Sequence, residues 1–542
     1  MTIRLWKFYF GIFKYKLVFL LLIMILGTMF EGLGLAIIIS MLDQSEKNVF
    51  NGILSNFGVY LPIYTFVFLV FFFRGIVVWY ANRTTASLFL SLKQKTLEKS
   101  LLLSVSSKFK VLEALGDSSL INLVIKEIPN IALGFKVFMH MLRSILVSIA
   151  YIAIPVYLAP SLSSIIFVFI LLGLAVFFLL QNYLKQISFH LVLANEKMLW
   201  RLKSIFNALA NIKAGNRNQK VLTDINIRIK NILRLETKQA VVIEPALESS
   251  LETIVFMLLI GTVVYNDSAQ ILEDSVLILC IGMLFKALSS VNGIYSNFRK
   301  IYSYSGSFIK LENIHNTLTQ NTETFLNEPI LNEKLKKIDL QEASISFVDR
   351  EIIHGFSLYC EVGQSVAIVG KSGSGKTSVL NALATLTEFD NGEYLANDGI
   401  NISKNKMFIR SNASYLTQQY YFEEEFVKDC FKSYQLEDSD VHNGLLLLGL
   451  IASESDFQSF GEVRISQLSG GERQRLAIAT EFLKRKTLYL LDEITSALDQ
   501  QHENLVAEFI NKNSSSKLII VVTHSENFAE KFNHIINLDL CD

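Results

Sequence analysis

The stretch GKSGSGKT, Gly370–Thr377, has the spacing G-x-x-x-x-G-K-[ST] and lies between the apolar run SVAIVG and the helix-like SVLNALATL. Its glycines let the backbone curl until N–H groups converge on phosphate oxygens. The N-terminus of the following helix adds a favourable dipole. Gly370, Lys371, Ser372, Gly373, Ser374, Gly375, Lys376, Thr377 and Ser378 are therefore the candidate phosphate cradle. Lys376 would neutralise β- and γ-phosphates, and the Thr377 hydroxyl would hold Mg²⁺.

A second element supplies carboxylates. TLYLLDE ends an apolar strand run with Asp492 and Glu493. An acid at the end of a strand beside a phosphate loop can join the metal shell, and a second acid can orient or deprotonate an attacking water. Standing alone, such a pair would read as a helix cap. A third element is SQLSGGERQRLA, Ser466–Ala477, whose adjacent glycines leave a bare backbone that something must approach closely.

These motifs need a scaffold. From about residue 338, apolar strand runs such as SVAIVG, TLYLLD and KLIIVVTH alternate with helical stretches, which suits a buried parallel sheet in an α/β domain. The polar segment NIHNTLTQNTETFLNEP, Asn313–Pro329, ends in proline and reads as part of a linker over 312–337.

The first 311 residues have another character. Half of the 542-residue chain is apolar and only 18% is charged, below the roughly 25% of soluble domains. Six runs long enough to cross a bilayer lie near Leu17–Leu42, Ile63–Tyr80, Val137–Leu158, Leu162–Leu180, Leu247–Tyr265 and Val276–Ile294. The first follows Arg4, Lys7, Lys14 and Lys16 but has no small-x-small cleavage site, so it reads as retained. Eight Lys/Arg lie between Asn82 and Lys136 and eleven between Lys185 and Glu244, against one lysine in the remaining loops. That asymmetry places both termini and the two long loops in the cytoplasm. Formal net charge is zero, which gives nucleic acid no support as a partner. Cys280, Cys360, Cys430 and Cys541 are far apart and read as reduced structural thiols.

No glycine or proline intervenes from Gly75 to Gly116, nor from Gly173 to Gly215. Continuous helices of that length would reach about 60 Å, twice a hydrocarbon core of about 30 Å. They are expected to run into the cytoplasm and turn at ALGDSS (Ala114–Ser119) and FNALANIKAG (Phe206–Gly215). Each tip is either a contact point or an ordinary hairpin turn. Ionisable residues within or at the ends of spans are functional candidates: Glu31, Arg74, His140, Arg143, Glu248, Glu252 and Lys286. Glu244, Glu248 and Glu252 share one helical face around Pro245. A cavity-facing acidic stripe would favour cationic or zwitterionic cargo; interfacial placement with basic partners is the alternative.

LSGGERQ (Leu468–Gln474), upstream of LLDEITSALD, resembles the signature of ATP-binding-cassette (ABC) proteins. Gln418 in SYLTQQ, Asp499 in SALD and His524 in VVTHS match that family's Q-loop, D-loop and switch histidine, and Phe347 stands where the family stacks an aromatic on adenine. With six spans ahead of the cassette, the chain resembles an exporter half-transporter: an all-α transmembrane domain followed by an α/β P-loop ATPase. The resemblance implies ATP and Mg²⁺ as ligands, with Gln418 joining Thr377 and Asp492 at the metal and His524 on the γ-phosphate. It also implies capping of that ATP by Ser469, Gly470, Gly471 and Glu472 of a second copy or a related half-transporter. Gly116 and Asp117, and Asn207 through Lys213, would be the coupling tips.

Phe347 replaces the usual Tyr, Glu472 the commoner Gln, and Thr480 an Arg. FGEVRISQ (Phe460–Gln467) matches the exporter cross-talk loop only loosely. No C-terminal regulatory domain and no leader-cleaving peptidase domain are expected. The function implied is ATP-driven export of an amphipathic cargo (peptide, lipid, lipid-linked glycan or drug) from a cell membrane, the bacterial inner membrane by resemblance. A flippase or importer on the same fold, and an ATP-gated channel, are the alternatives.

Overall fold

The computed structural model describes residues 2–42, 63–158, 200–238, 274–323, 333–347, 350–418, 420–432, 438–453 and 455–540, with single positions at 331 and within 186–198 and 253–264. The chain divides into two units: 1–101 with 118–316, and 102–117 with 317–542.

The first unit is helical. α1 (Thr2–Phe13) gives way at Lys14 to α2 (Tyr15–Leu42), and α3 begins at Ile63 and continues to Val105. The short α4 (Phe109–Leu115) belongs to the second unit, and the first continues with α5 (Ile128–Leu158), α6 (Leu209–Ala214), α7 (Asn218–Thr237) and most of the 47-residue α8 (Asp274–Gln320). Among the described residues three helical stretches are long and apolar enough to cross a membrane: Tyr15–Gly32, Thr65–Val105 and Ser119–Val156. They contain the first two expected spans in large part and most of the third. The fourth lies outside the described residues, as does most of the fifth, and the sixth falls within α8. Phe68, Phe72 and Phe73 are exposed on α3, as a lipid-facing surface requires. The unit's core joins Tyr9, Leu17 and Leu20 to Leu92 and Phe135, and the Tyr9 hydroxyl donates to the Ile131 carbonyl at 3.1 Å.

Two charges inside this apolar bundle are paired. Arg74 Nη2 lies 2.8 Å from Glu31, whose other oxygen accepts from the Tyr151 hydroxyl at 2.6 Å. One polar cluster thus ties α2, α3 and α5 and keeps the carboxylate from standing alone in apolar surroundings. Lys286 is exposed on α8, and Glu248 and Glu252 lie outside the described residues.

Farther along α8, His315 Nε2 lies 2.8 Å from the Ser100 hydroxyl. Burial first, and the Lys99 ammonium second, push its pKa from 6.5 down to about 4. Between those values the unfolded chain takes up a proton that the folded chain refuses. Stability contributed by the neutral ring is therefore present above pH 6.5 and is lost as pH falls toward 4. A His315→Gln variant is expected to lose less of its melting temperature than wild type between about pH 7 and about pH 5. Parallel thermal melts in lipid nanodiscs check this, and equal losses would contradict it.

The absence of glycine and proline predicts an unbroken helix to Gly116, but α3 stops at Val105. The Ser106 and Ser107 hydroxyls donate back to the carbonyls of Leu102 and Leu103, at 2.8 and 2.6 Å, but Thr85 and Ser100 do the same inside α3 without breaking it. What ends the helix is a long-range pairing, the bridge of Ser107 with Thr322. The freed backbone pairs with the end of α8: Glu323 N–H donates to Ser106 at 2.7 Å and Lys108 N–H to Asn321 at 2.9 Å. The expected linker likewise begins as helix, since α8 extends to Gln320.

The second unit carries two sheets. β1 (Lys337–Phe347), β2 (Arg350–Glu361), β4 (Asn391–Ala396) and β5 (Ile400–Asn401) form an antiparallel sheet in the order β2-β1-β4-β5. β3 (Ser365–Val369), β6 (Ala413–Leu416), β7 (Leu488–Asp492), β8 (Leu518–Val522) and β9 (His534–Asn537) form a parallel sheet in the order β6-β7-β8-β3-β9. Every residue of β7 and β8 is buried, as expected for strands covered on both faces.

Arg410 clamps the chain entering this unit. It meets the buried Glu323 through two bonds, at 2.8 and 2.9 Å, and also donates to the Thr385 carbonyl at 2.9 Å. Removing one partner of a buried pair strands the other charge, so Arg410→Ala should cost about 3–5 kcal/mol. Thermal unfolding should show the loss, and adding Glu323→Ala should recover part of it. An unchanged melt in the single variant would contradict this.

Candidate functional site

Strands β6, β7, β8 and β3 are neighbours and run in one direction, so their C-terminal ends open on a single edge. In open α/β sheets that edge is where ligands bind. It gathers residues that are far apart in sequence. Gln418 follows β6, Asp492 and Glu493 end β7, His524 follows β8, and the Gly370–Thr377 loop follows β3.

The loop leads into α9 (Lys376–Leu383), with Gly375 at its N-cap. Gly375 has φ +90°, and a Cβ there would lie 2.7 Å from side-chain carbons of Ile352 and Ile353. Both the backbone angle and the space exclude other residues. The Lys376 ammonium donates to the carbonyls of Gly370 and Lys371, each at 2.8 Å, which holds it over the loop. Burial lowers its pKa, opposed by the nearby acids Glu493, Asp539 and Asp492. Ser374 Oγ is buried in the loop without a partner among the described residues. Asp539, just beyond β9, accepts from Lys371 N–H through both oxygens at 3.1 Å and braces the loop from outside. A cavity of about 450 Å³ opens beside α9, lined in part by Ile345, Ser346, Ile352, Thr377, Ser378 and Asn381. Phe347 ends β1, opposite Arg350; its side chain lies outside the described residues.

The acids are differentiated. Thr377 Oγ1 donates to Asp492 Oδ1 at 3.3 Å, while burial raises the Asp492 pKa. Glu493 is only half-buried and stands between two polar groups. Gln418 Nε2 donates to one carboxylate oxygen, and His524 Nε2 faces the other, each at 2.7 Å. Its backbone has φ +47°, an uncommon angle for a non-glycine residue. Hydroxyl, carboxylate and amide oxygens at Thr377, Asp492 and Gln418 suit a hard cation such as Mg²⁺, which takes one or two carboxylates and completes its shell with phosphate and water.

The bare-backbone stretch forms the start of α11, after α10 (Lys406–Asn412). α11 covers Gly470–Leu483 with Ser469 as N-cap. Ser469 Oγ accepts from Glu472 N–H at 3.2 Å, and Glu472 accepts from Ser469 N–H at 2.8 Å. That reciprocal box gives Glu472 a role the motif comparison did not reveal, though S-x-x-E is its sequence mark. A Cβ on Gly471 would lie 3.2 Å from the Ala497 carbonyl, so part of what approaches the bare backbone is the chain's own loop after β7. Asp499 caps α12 (Gln500–Asn513), accepting from His502 N–H at 2.9 Å and lying 2.7 Å from His502 Nδ1.

Comparison with known proteins agrees with this architecture. Residues 353–496 match the ABC transporter family. Residues 353–496 are thus an ABC transporter domain. It is 24% identical to the heterocyst differentiation ATP-binding protein HepA of Nostoc sp., over 78% of this chain and 70% of that protein. It is also 24% identical to the ATP-dependent lipid A-core flippase of Bordetella pertussis, over 74% of this chain and 66% of the flippase. Its fold resembles that of a bacterial Atm1-family ABC exporter with ATP bound, with a TM-score of 0.73 at 16% identity, covering 98% of this chain and 94% of the exporter. An ABC ATPase domain thus follows a helical membrane domain, and the cassette binds ATP.

Proposed function

We propose that this chain is one half of an ATP-driven exporter that works as a pair of cassettes. The observation that carries the reading is the meeting of Glu493 with Gln418 and His524 on the sheet edge that also presents Lys376 and Thr377. In this reading the Gly370–Ser378 amides and Lys376 hold the β- and γ-phosphates, and the nucleoside extends toward Phe347. Glu493 takes the proton of the attacking water while Gln418 and His524 keep its carboxylate aimed. Thr377, Asp492 and Gln418 are the groups that would hold Mg²⁺, which when bound supplies positive charge to the phosphates. Ser469, Gly470 and Gly471 of a second copy cap the triphosphate with a helix N-terminus.

The cargo is assigned by class only. Kinship with the flippase supports an amphipathic cargo with a lipid part. Within the membrane helices Glu31 and Arg74 neutralise each other, so this cluster offers a dipolar rather than an anionic contact. Glu248, Glu252 and Lys286 remain candidate cargo residues. Coupling is assigned to the tips at Gly116–Asp117 and Asn207–Lys213. The first shares a unit with the cassette, where Lys108 Nζ lies 3.9 Å from Glu388. We place the chain in the bacterial inner membrane with N-terminus and cassette cytoplasmic.

Purified protein in liposomes tests the proposal. Hydrolysis stimulated by an amphipathic lipid, with transfer of that lipid between leaflets, is the expected result. Nucleotide-dependent conductance without coupled turnover would contradict it.

A further inference from the structure

The backbone of Glu493 adopts a left-handed conformation that its surroundings must impose. Three bonds do so. Glu493 N–H donates to the Val522 carbonyl on β8 at 2.9 Å, and the Glu493 carbonyl accepts from Ser496 N–H within its own loop and from Gln474 Nε2, each at 3.2 Å. Gln474 lies on α11, one turn past the cap Ser469. The other end of its amide is also engaged, Oε1 accepting from Ala497 N–H at 3.2 Å. One side chain therefore grips both ends of the segment from Glu493 to Ala497, the segment against which Gly471 packs.

We infer that Gln474 is a positioning residue for hydrolysis: its amide fixes the Glu493 peptide and holds the Glu493–Ala497 loop to the signature helix of the same subunit. The peptide before Glu493 is held by Val522 and the peptide after it by Gln474 together with Ser496, so the carboxylate stays between Gln418 and His524. The bonds Gln474 makes are to backbone groups and Ser496, so it touches neither the phosphates nor the reacting water. Its loss should slow turnover without weakening nucleotide binding. The inference rests on Glu493 acting as base, as proposed above.

Two variants of the full-length protein in nanodiscs test it. Gln474→Met keeps the side-chain length and removes both bonds. Gln474→Glu keeps an acceptor for Ala497 N–H and loses the donor to the Glu493 carbonyl. Both should lower kcat about tenfold, the scale of one lost hydrogen bond in the transition state, with KM for ATP within about twofold. The melting temperature should stay at the wild-type value. Wild-type kcat in Gln474→Met, or a loss accompanied by a matching rise in KM and a lowered melt, would overturn the inference. So would wild-type kcat in Gln474→Glu, which would move any effect to Ala497 alone. Glu493→Gln measured alongside separates the two readings. An active Glu493→Gln removes the base assignment and this inference with it. An inactive Glu493→Gln beside a fully active Gln474→Met removes this inference only.

Discussion

Glu493→Gln should reduce ATP hydrolysis by about 10²–10³-fold while leaving ATP binding intact, the scale of losing a group that acts only in the transition state. The substitution keeps the shape and removes the basicity. In the wild type one carboxylate oxygen accepts from Gln418 Nε2 and the other faces His524 Nε2. An amide has one oxygen for those two partners, so the variant either faces Gln418 with its own N–H₂ or turns that group toward His524. Neither orientation leaves a site for the water's proton. None of the Lys376 and Thr377 contacts passes through Glu493, so nucleotide should still bind. Filter binding of labelled ATP beside phosphate release separates the two effects. Hydrolysis within about tenfold of wild type would remove Glu493 from the base role.

Lys376→Ala should fail one step earlier. The ammonium is buried against its own loop by two carbonyls, so its charge is held where phosphates would lie rather than left to solvent. Truncating a buried, charge-assisted phosphate contact costs about 2–5 kcal/mol, and ATP affinity should fall by about 100-fold. Turnover at subsaturating ATP should fall with it. Fold stability should change little, because Asp539 still braces Lys371 N–H from the far side of the loop. The contrast with Glu493→Gln is diagnostic: one variant binds without turnover, the other does not bind. Wild-type affinity in Lys376→Ala would contradict the assignment of the loop.

What could be read from the sequence follows the range of the forces involved. The phosphate loop was legible because its geometry is local: glycine at fixed offsets and a lysine at the helix start are required wherever that loop forms. The β7 and β8 strands were legible from unbroken apolar runs. The end of α3 was not, because the backbone at 106–108 pairs with residues 321–323, more than 200 positions away in sequence. The Ser469–Glu472 box is present in the sequence as S-x-x-E, but there Glu472 looks like no more than a variant of the family motif. Gln474 carries no mark of its role within the signature, since its partners lie 19 and 23 residues away. The Glu323–Arg410 clamp, spanning 87 residues, leaves no mark in the sequence at all. Glu31 and Arg74 stand out singly in the sequence as charges within apolar runs, yet only the structure pairs them with each other and with Tyr151.

The central claim is that the glycine-rich start of α11 in one copy closes over the triphosphate held by the other. Cysteines introduced at Ser469 and Ser372, in a Glu493→Gln chain with its native cysteines replaced, measure this directly. Oxidation should yield a disulfide-linked dimer with ATP present and monomer without it. Monomer under both conditions, with ATP demonstrably bound, would contradict the account.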